Sequence, residues 1–145
     1  MSTDREQIEH AVLGVVHHID HKRWRELRAC FADQVTTDYT SLFGGSPATQ
    51  PANALIALWR ETLSAVTTQH LLGPVALTLT GDRAEASCHV RAMHHAPAAR
   101  SGSDWEVLGH YHFELARSGD TFNITHLTLS TFHQLGNRNL LQEAR

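Results

Sequence analysis

Asp20 and His70 are the two residues of this 145-residue chain best placed to do chemistry together. His70 alternates with Val66, Thr68 and Leu72 along a segment of strand periodicity. Asp20 is the first charged residue on a helical stripe that is otherwise apolar. If both faces look into one interior, a carboxylate and an imidazole share an enclosed space. A buried carboxylate bonded to one ring nitrogen fixes the tautomer and stabilises the imidazolium, and the other nitrogen then works as a general base near neutral pH. Plain structure also accounts for both residues: Asp20 as the cap of a helix beginning near His21, and His70 as a satisfied core histidine. His94 ends the row Ala84, Ala86, Cys88, Val90, Ala92. A polar residue there suits the mouth of a pocket, though strand ends often carry polar residues for no chemical reason. Tyr39, ending a short strand, either offers its phenol to a carbonyl or is a core tyrosine with a wet hydroxyl.

Histidine is the compositional outlier, with 12 residues against 12 Lys and Arg together, so metal binding has to be weighed. His110-Tyr111-His112 points two rings the same way on a strand, and His17-His18-Ile19-Asp20-His21 is a second cluster. Neither contains a helical His pair four apart with a Glu between, nor a Cys partner. His110, His112 and Glu114 oppose the apolar row Tyr111, Phe113, Leu115, as a solvated face does. No metal and no organic cofactor is expected. Gly44-Gly45 lacks the strand, lysine and helix of a phosphate-binding loop.

The elements that must position these groups follow from periodicity. Thr3 and Glu6 form a capping-box pair, and behind them Ile8, Ala11, Val12, Val15, Val16 and Ile19 make one stripe ending at Asp20. A second short helix carries Trp24, Leu27 and Phe31 on one side. Val35 to Tyr39 is a brief strand, residues 44–47 are a loop, and Pro51 precedes a helix bearing Leu55, Ile56, Trp59 and Leu63. From about residue 65 the period becomes two, predicting strands over 66–80, 84–95, 105–117 and 122–133. Gly81-Asp82 and Ser118-Gly119-Asp120 are hairpin turns, which makes neighbouring strands antiparallel. Helices first and a meander afterwards predict one α+β domain over 1–145, with about three helices on one side of a bent sheet.

Composition is that of an ordinary globular protein, 41% hydrophobic and 19% charged. A net charge of −3 with no basic run argues against nucleic acid and anionic membrane as partners. Cys30 and Cys88 read as one helical and one strand thiol, with no disulfide framework. The polar start Met1-Ser2-Thr3-Asp4-Arg5-Glu6 lacks the apolar core of a signal peptide, and no segment approaches the ~20 apolar residues of a membrane span. The expected location is the cytoplasm.

Three stretches in order, Asp20-His21-Lys22-Arg23-Trp24-Arg25-Glu26-Leu27-Arg28, Asp38-Tyr39 and Thr68-Gln69-His70, resemble scytalone dehydratase. More broadly, the chain from about residue 8 to Asn137 resembles the SnoaL-like branch of the nuclear-transport-factor-2-like superfamily. That resemblance implies a cystatin-like cone of curved antiparallel sheet closed by helices around a central pocket. It implies Asp20 and His70 as an acid–base pair, His94 as a second pocket histidine once a residue is gapped in the Gly81 turn, and Tyr39 as the phenol that polarises a carbonyl through water. A similar pair serves the related hexachlorocyclohexane dehydrochlorinase, so the pair implies proton abstraction rather than one substrate. In such a cone Val16, Ile19, Trp59, Leu72, Val90, Gly109 and Tyr111 are expected to line the pocket. The dehydratase's second tyrosine corresponds to Ile19, and its serine and asparagine to Gly109 and Tyr111, so a more apolar ligand than scytalone is implied. The function expected is a lyase of dehydratase type on a small carbonyl or polyketide-like compound. A non-catalytic binder of an apolar or aromatic ligand and an isomerase or cyclase in the same pocket are the alternatives. A homodimer is expected by family analogy.

Overall fold

The Thr3 hydroxyl accepts from the Glu6 amide, and the Glu6 carboxylate accepts from the Thr3 amide. This closed capping box opens helix α1, Asp4–Asp20. The computed structural model describes residues 2–145. Along α1 the whole expected stripe, from Ile8 to Ile19, is buried. Two further short helices and a strand follow: α2 (Trp24–Arg28), β1 (Phe31–Asp38) and the single turn α3 (Thr40–Phe43). Phe31 opens β1 instead of extending α2, and Cys30 sits in the turn between them rather than on a helix. Tyr39 lies just past β1, at the N-terminus of α3. Strand β2 (Ala48–Pro51) then leads into α4 (Ala52–Thr62).

The second half is a meander of β3 (Thr67–Leu72), β4 (Ala76–Thr80), β5 (Arg83–His95), β6 (Asp104–Ser118) and β7 (Thr121–Gly136), closed by the one-turn helix α5 (Leu140–Glu143). The expected strand over 66–80 is broken at 73–75. Pro74 cannot donate to a ladder, and the Gly73 amide bonds the His89 carbonyl at 2.9 Å, so the chain steps aside before β4 rejoins β5. Thr80 pairs with Arg83 and Ser118 with Thr121, so Gly81-Asp82 and Gly119-Asp120 are two-residue turns. Both glycines sit at φ 60°, which a side chain would resist.

Six strands form the order β2-β1-β7-β6-β5-β3, with β4 alongside β5. All pairs are antiparallel except β1 with β7. The parallel exception joins the first strand to the last, across most of the chain, where no hairpin dictates direction. The sheet is curved and unclosed, bent where its register slips at Leu108/Gly109 and Glu114/Leu115. Its inward rows, including Ala86, Cys88, Val107, Phe113, Ile124 and Leu127, share one core with the buried stripe of α1, which lies against β3, β5 and β7. Each fully buried Phe, Ile or Leu there contributes roughly 1.5–3 kcal/mol. Among the described residues no helix is long and apolar enough to cross a membrane.

Gly109 marks the bend. A Cβ built there would lie 2.5 Å from the Ser130 carbonyl oxygen of the neighbouring strand β7, where the register slips. Gly109→Ala is expected to destabilise by about 1–3 kcal/mol through overpacking, read as a lower denaturant midpoint. An unchanged midpoint would mean that the bend relaxes freely.

Candidate functional site

Asp20 is the last residue of α1 and does not cap α2, whose N-cap is Arg23 without a side-chain bond. Its carboxylate reaches β3 instead. Thr68 Oγ1 donates to Asp20 Oδ1 at 2.8 Å, the His70 amide donates to Oδ2 at 2.9 Å, and His70 Nδ1 lies 2.7 Å from Oδ1. The two side chains expose only 12% and 9% of their surface, so water screens the contact little. Burial, the largest influence, pushes the Asp20 carboxyl upward. The ring and amide of His70 with the Thr68 hydroxyl outweigh it and hold the carboxyl below the usual carboxylate range. An ionised carboxylate only accepts, so the His70 proton sits on Nδ1. The Nε2 lone pair is left for the cavity that the ring lines.

That cavity, about 390 Å³, lies between α1, α4, the turn at Tyr39 and the inner sheet face. Ile19, Trp59 and Tyr111 line it, as do Tyr39, His70 and His94. Four residues expected at its wall do not. Val15 and Ile19, four apart, carry the side of α1 that meets the cavity, whereas Val16 is 1% exposed in the core one step round the helix. Leu72 and Val90 pair with each other two pairs beyond His70 and Ala92, past the end of the cavity. Gly109 has no side chain to offer, and Leu129 and the Ser130 backbone crowd the space beside it. Sequence reasoning missed Trp105 and Phe43, which close the cavity, and Thr68 as a third donor to Asp20. The register that sets Trp105 opposite His94 was the available signal for the first.

His94 Nδ1 faces the Trp105 carbonyl at 3.1 Å, and its ring packs on the indole with centroids 4.4 Å apart. A carbonyl only accepts, so this ring too carries its proton on Nδ1 and a lone pair on Nε2. Burial, reinforced by His70 nearby, pushes His94 down to about 4. It is therefore neutral at neutral pH, an acceptor and not a resident acid. The His70 and His94 rings stand edge to face, 6.3 Å apart. Burial pushes the Tyr39 phenol up, so it keeps its proton. No Lys, Arg, Asp or Glu is among the described residues lining the cavity. An uncharged, largely apolar guest is what such a wall accepts.

The shift at His94 has a consequence for stability. Between 6.5 and about 4 the unfolded chain binds a proton that the folded protein refuses. This contribution is complete above 6.5 and drains away as the pH falls toward about 4. Fully developed, the loss is roughly 3 kcal/mol. His94→Gln is expected to flatten that limb of the denaturant midpoint plotted against pH. A limb of unchanged slope would contradict it.

A family model described as the SnoaL-like domain matches residues 1–128. The chain belongs to the SnoaL-like family. Among solved structures, the Kfla4162 protein from Kribbella flavida is similar over 96% of this chain and 97% of that one, at 29% identity and a TM-score of 0.89. A protein from Novosphingobium aromaticivorans provisionally called a scytalone dehydratase is 18% identical over 92% of this chain and 87% of its own, with a TM-score of 0.78. The hexachlorocyclohexane dehydrochlorinase LinA-type3 from Novosphingobium barchaimii is 12% identical over 92% and 89%, with a TM-score of 0.75. At these last two identities the likeness of this SnoaL-like protein is one of fold. No curated protein matches the chain.

Proposed function

We propose that this SnoaL-like protein is a lyase of dehydratase type that removes a proton beside a carbonyl of a small, uncharged, largely apolar molecule, including polyketide-like compounds. One observation carries the proposal: three donors converge on Asp20, fixing Nδ1–H on His70 and leaving its Nε2 lone pair in an apolar cavity. In the reaction His70 Nε2 takes the proton, Asp20 stabilises the imidazolium, and Tyr39 donates a hydrogen bond to the carbonyl oxygen. As the C–H electron pair moves toward the carbonyl, an enolate forms without a cofactor. The protonated His70 then delivers its proton to a departing hydroxyl, which leaves as water. His94, neutral and accepting, holds that hydroxyl by its own proton instead of acting as the acid. Isomerisation is favoured as a second reading by this same state of His94, because return of the proton from His70 to another carbon asks nothing more of the site.

The test uses a bicyclic aromatic ketone, 2-tetralone, in deuterium oxide. Deuterium should enter the carbon beside the carbonyl faster with protein than in buffer, read by mass spectrometry. Exchange no faster than in buffer would leave a binding protein. Release of water from a β-hydroxy ketone then separates dehydratase from isomerase.

Leu71, Phe132 and Leu135 are 52%, 64% and 46% exposed on the outer sheet face, and we propose that a second copy covers them. Wild type should sediment as a dimer and Phe132→Glu as a monomer, whereas a wild-type monomer at micromolar concentration would end the idea. The cytoplasm is proposed as the place of work, since Cys30 and Cys88 are both free and buried.

A further inference from the structure

From Trp105 to Leu115 the inner row of β6 is apolar apart from two polar tips. One, the Trp105 Nε1–H, is satisfied by Gln134 Oε1 at 2.9 Å. The other is the Tyr111 hydroxyl. Tyr111 lines the cavity and is 6% exposed, and its ring is braced on Phe113 with centroids 5.5 Å apart. Tyr39 reaches the same cavity from the far side of the sheet order, braced on Phe43 at 6.3 Å. Neither phenol has a hydrogen-bond partner among the described residues, and Tyr39 adds to the push that burial gives the Tyr111 phenol. Phenylalanine would pack as well at either place. A buried hydroxyl without a partner costs free energy, so tyrosines in interiors normally find one. Both tyrosines line the cavity, where a guest can supply that partner. Burial pushes both phenols up, so each is a donor and not a base.

We propose that Tyr111, with Tyr39, forms a two-phenol cradle that donates hydrogen bonds to the oxygen of a bound ketone as negative charge gathers on it. This rests on the proton-abstraction function proposed above and adds Tyr111 to it as a catalytic residue. When the C–H bond beside the carbonyl breaks, its proton goes to His70 Nε2 and its electron pair becomes the new C=C bond. The carbonyl π pair moves onto oxygen. Both phenols keep their own protons and share them with that oxygen. Two braced donors need no rearrangement as the charge develops, which is the condition under which such donors are most effective.

The probe is 4-nitrophenol, whose anion places negative charge on an oxygen attached to a flat ring and announces itself by colour. Bound to the wild type, it should ionise at a lower pH than in water. Tyr111→Phe should weaken phenolate binding about tenfold or more, the worth of one hydrogen bond to a charged group. Its bound probe should ionise closer to the free value. Nitrobenzene, of similar shape without the oxygen, should bind both proteins equally, which also shows that the variant keeps its pocket. Tyr39→Phe should lose phenolate to a similar degree. Equal phenolate affinity in wild type and Tyr111→Phe, or a wild type that does not favour the phenolate, overturns the cradle while leaving ketone deuteration intact. Selective loss of phenolate in Tyr111→Phe with no ketone deuteration by the wild type keeps the cradle as a ligand site and overturns proton abstraction.

Discussion

His70→Ala is expected to slow deuteration of 2-tetralone by about 10²–10⁴-fold, the usual contribution of a positioned general base. The fold should survive the change. The His70 amide, which supplies one of the three donors to Asp20, belongs to the backbone and remains, as does the Thr68 hydroxyl. Lost are the ring, its bond to Asp20 Oδ1 and some filling of the cavity wall. Added imidazole should enter the space and restore part of the rate, because the carboxylate that orients it is still there. A folded His70→Ala protein with undiminished exchange would remove the imidazole from the mechanism, and with it the chemistry proposed for this cavity.

Asp20→Asn is expected to cost a comparable factor by a different route. The side chain keeps its shape, yet it has one acceptor oxygen where three donors arrive, and its amide group is itself a donor. Whichever way the amide turns, a donor meets a donor, or else His70 moves its proton to Nε2 to present Nδ1 as an acceptor. The second outcome takes the lone pair away from the cavity. Exchange should therefore fall by roughly 10²–10⁴-fold with the imidazole still present. Stability should fall too, by about 1–3 kcal/mol for the donors left unmatched. The pH dependence separates this from simple packing damage. Asp20 titrates below 3.8, so its share of stability is whole above 3.8 and is lost as the pH drops through the lower folded value. Asp20→Asn lacks that final acid loss. A variant with native activity, or with the native acid limb, would show that the carboxylate neither orients nor anchors the ring.

Much of this was legible in the residues because the two informative ones break their own patterns. Asp20 interrupts a helical stripe and His70 an alternating row, and a charged or titratable group on an inward face demands a partner. The Gly-Asp turns and the Thr3–Glu6 box were equally plain, since each depends on bonds made within four residues. The unreadable features are those decided by distant neighbours. Parallel pairing of β1 with β7, the close approach of the β7 backbone to Gly109, and the placing of Val90 and Leu72 beyond the cavity wall depend on how strands far apart in the chain pair. Thr68 had its clue in the Thr-Gln-His triplet, two positions before His70 on the same face. Its hydroxyl could equally have been a neutral core group, and only the approach of α1 decides between them. The break at Gly73-Pro74 is different, because proline's missing amide is a local signal that the alternating pattern on either side concealed.

Asp20 is bonded to a strand 50 positions further along the chain, so the proposed chemistry and the clasp between helix layer and sheet rest on the same three bonds. Enzymes usually trade one property for the other, and disabling a reactive group often leaves a sturdier protein. In this molecule heat tolerance and turnover should rise and fall together when Asp20 or Thr68 is varied. A laboratory selection for survival at high temperature would then guard the reactive pair without ever measuring it. Deuteration of the His70 amide itself, followed in the resting protein, would report how often the clasp opens.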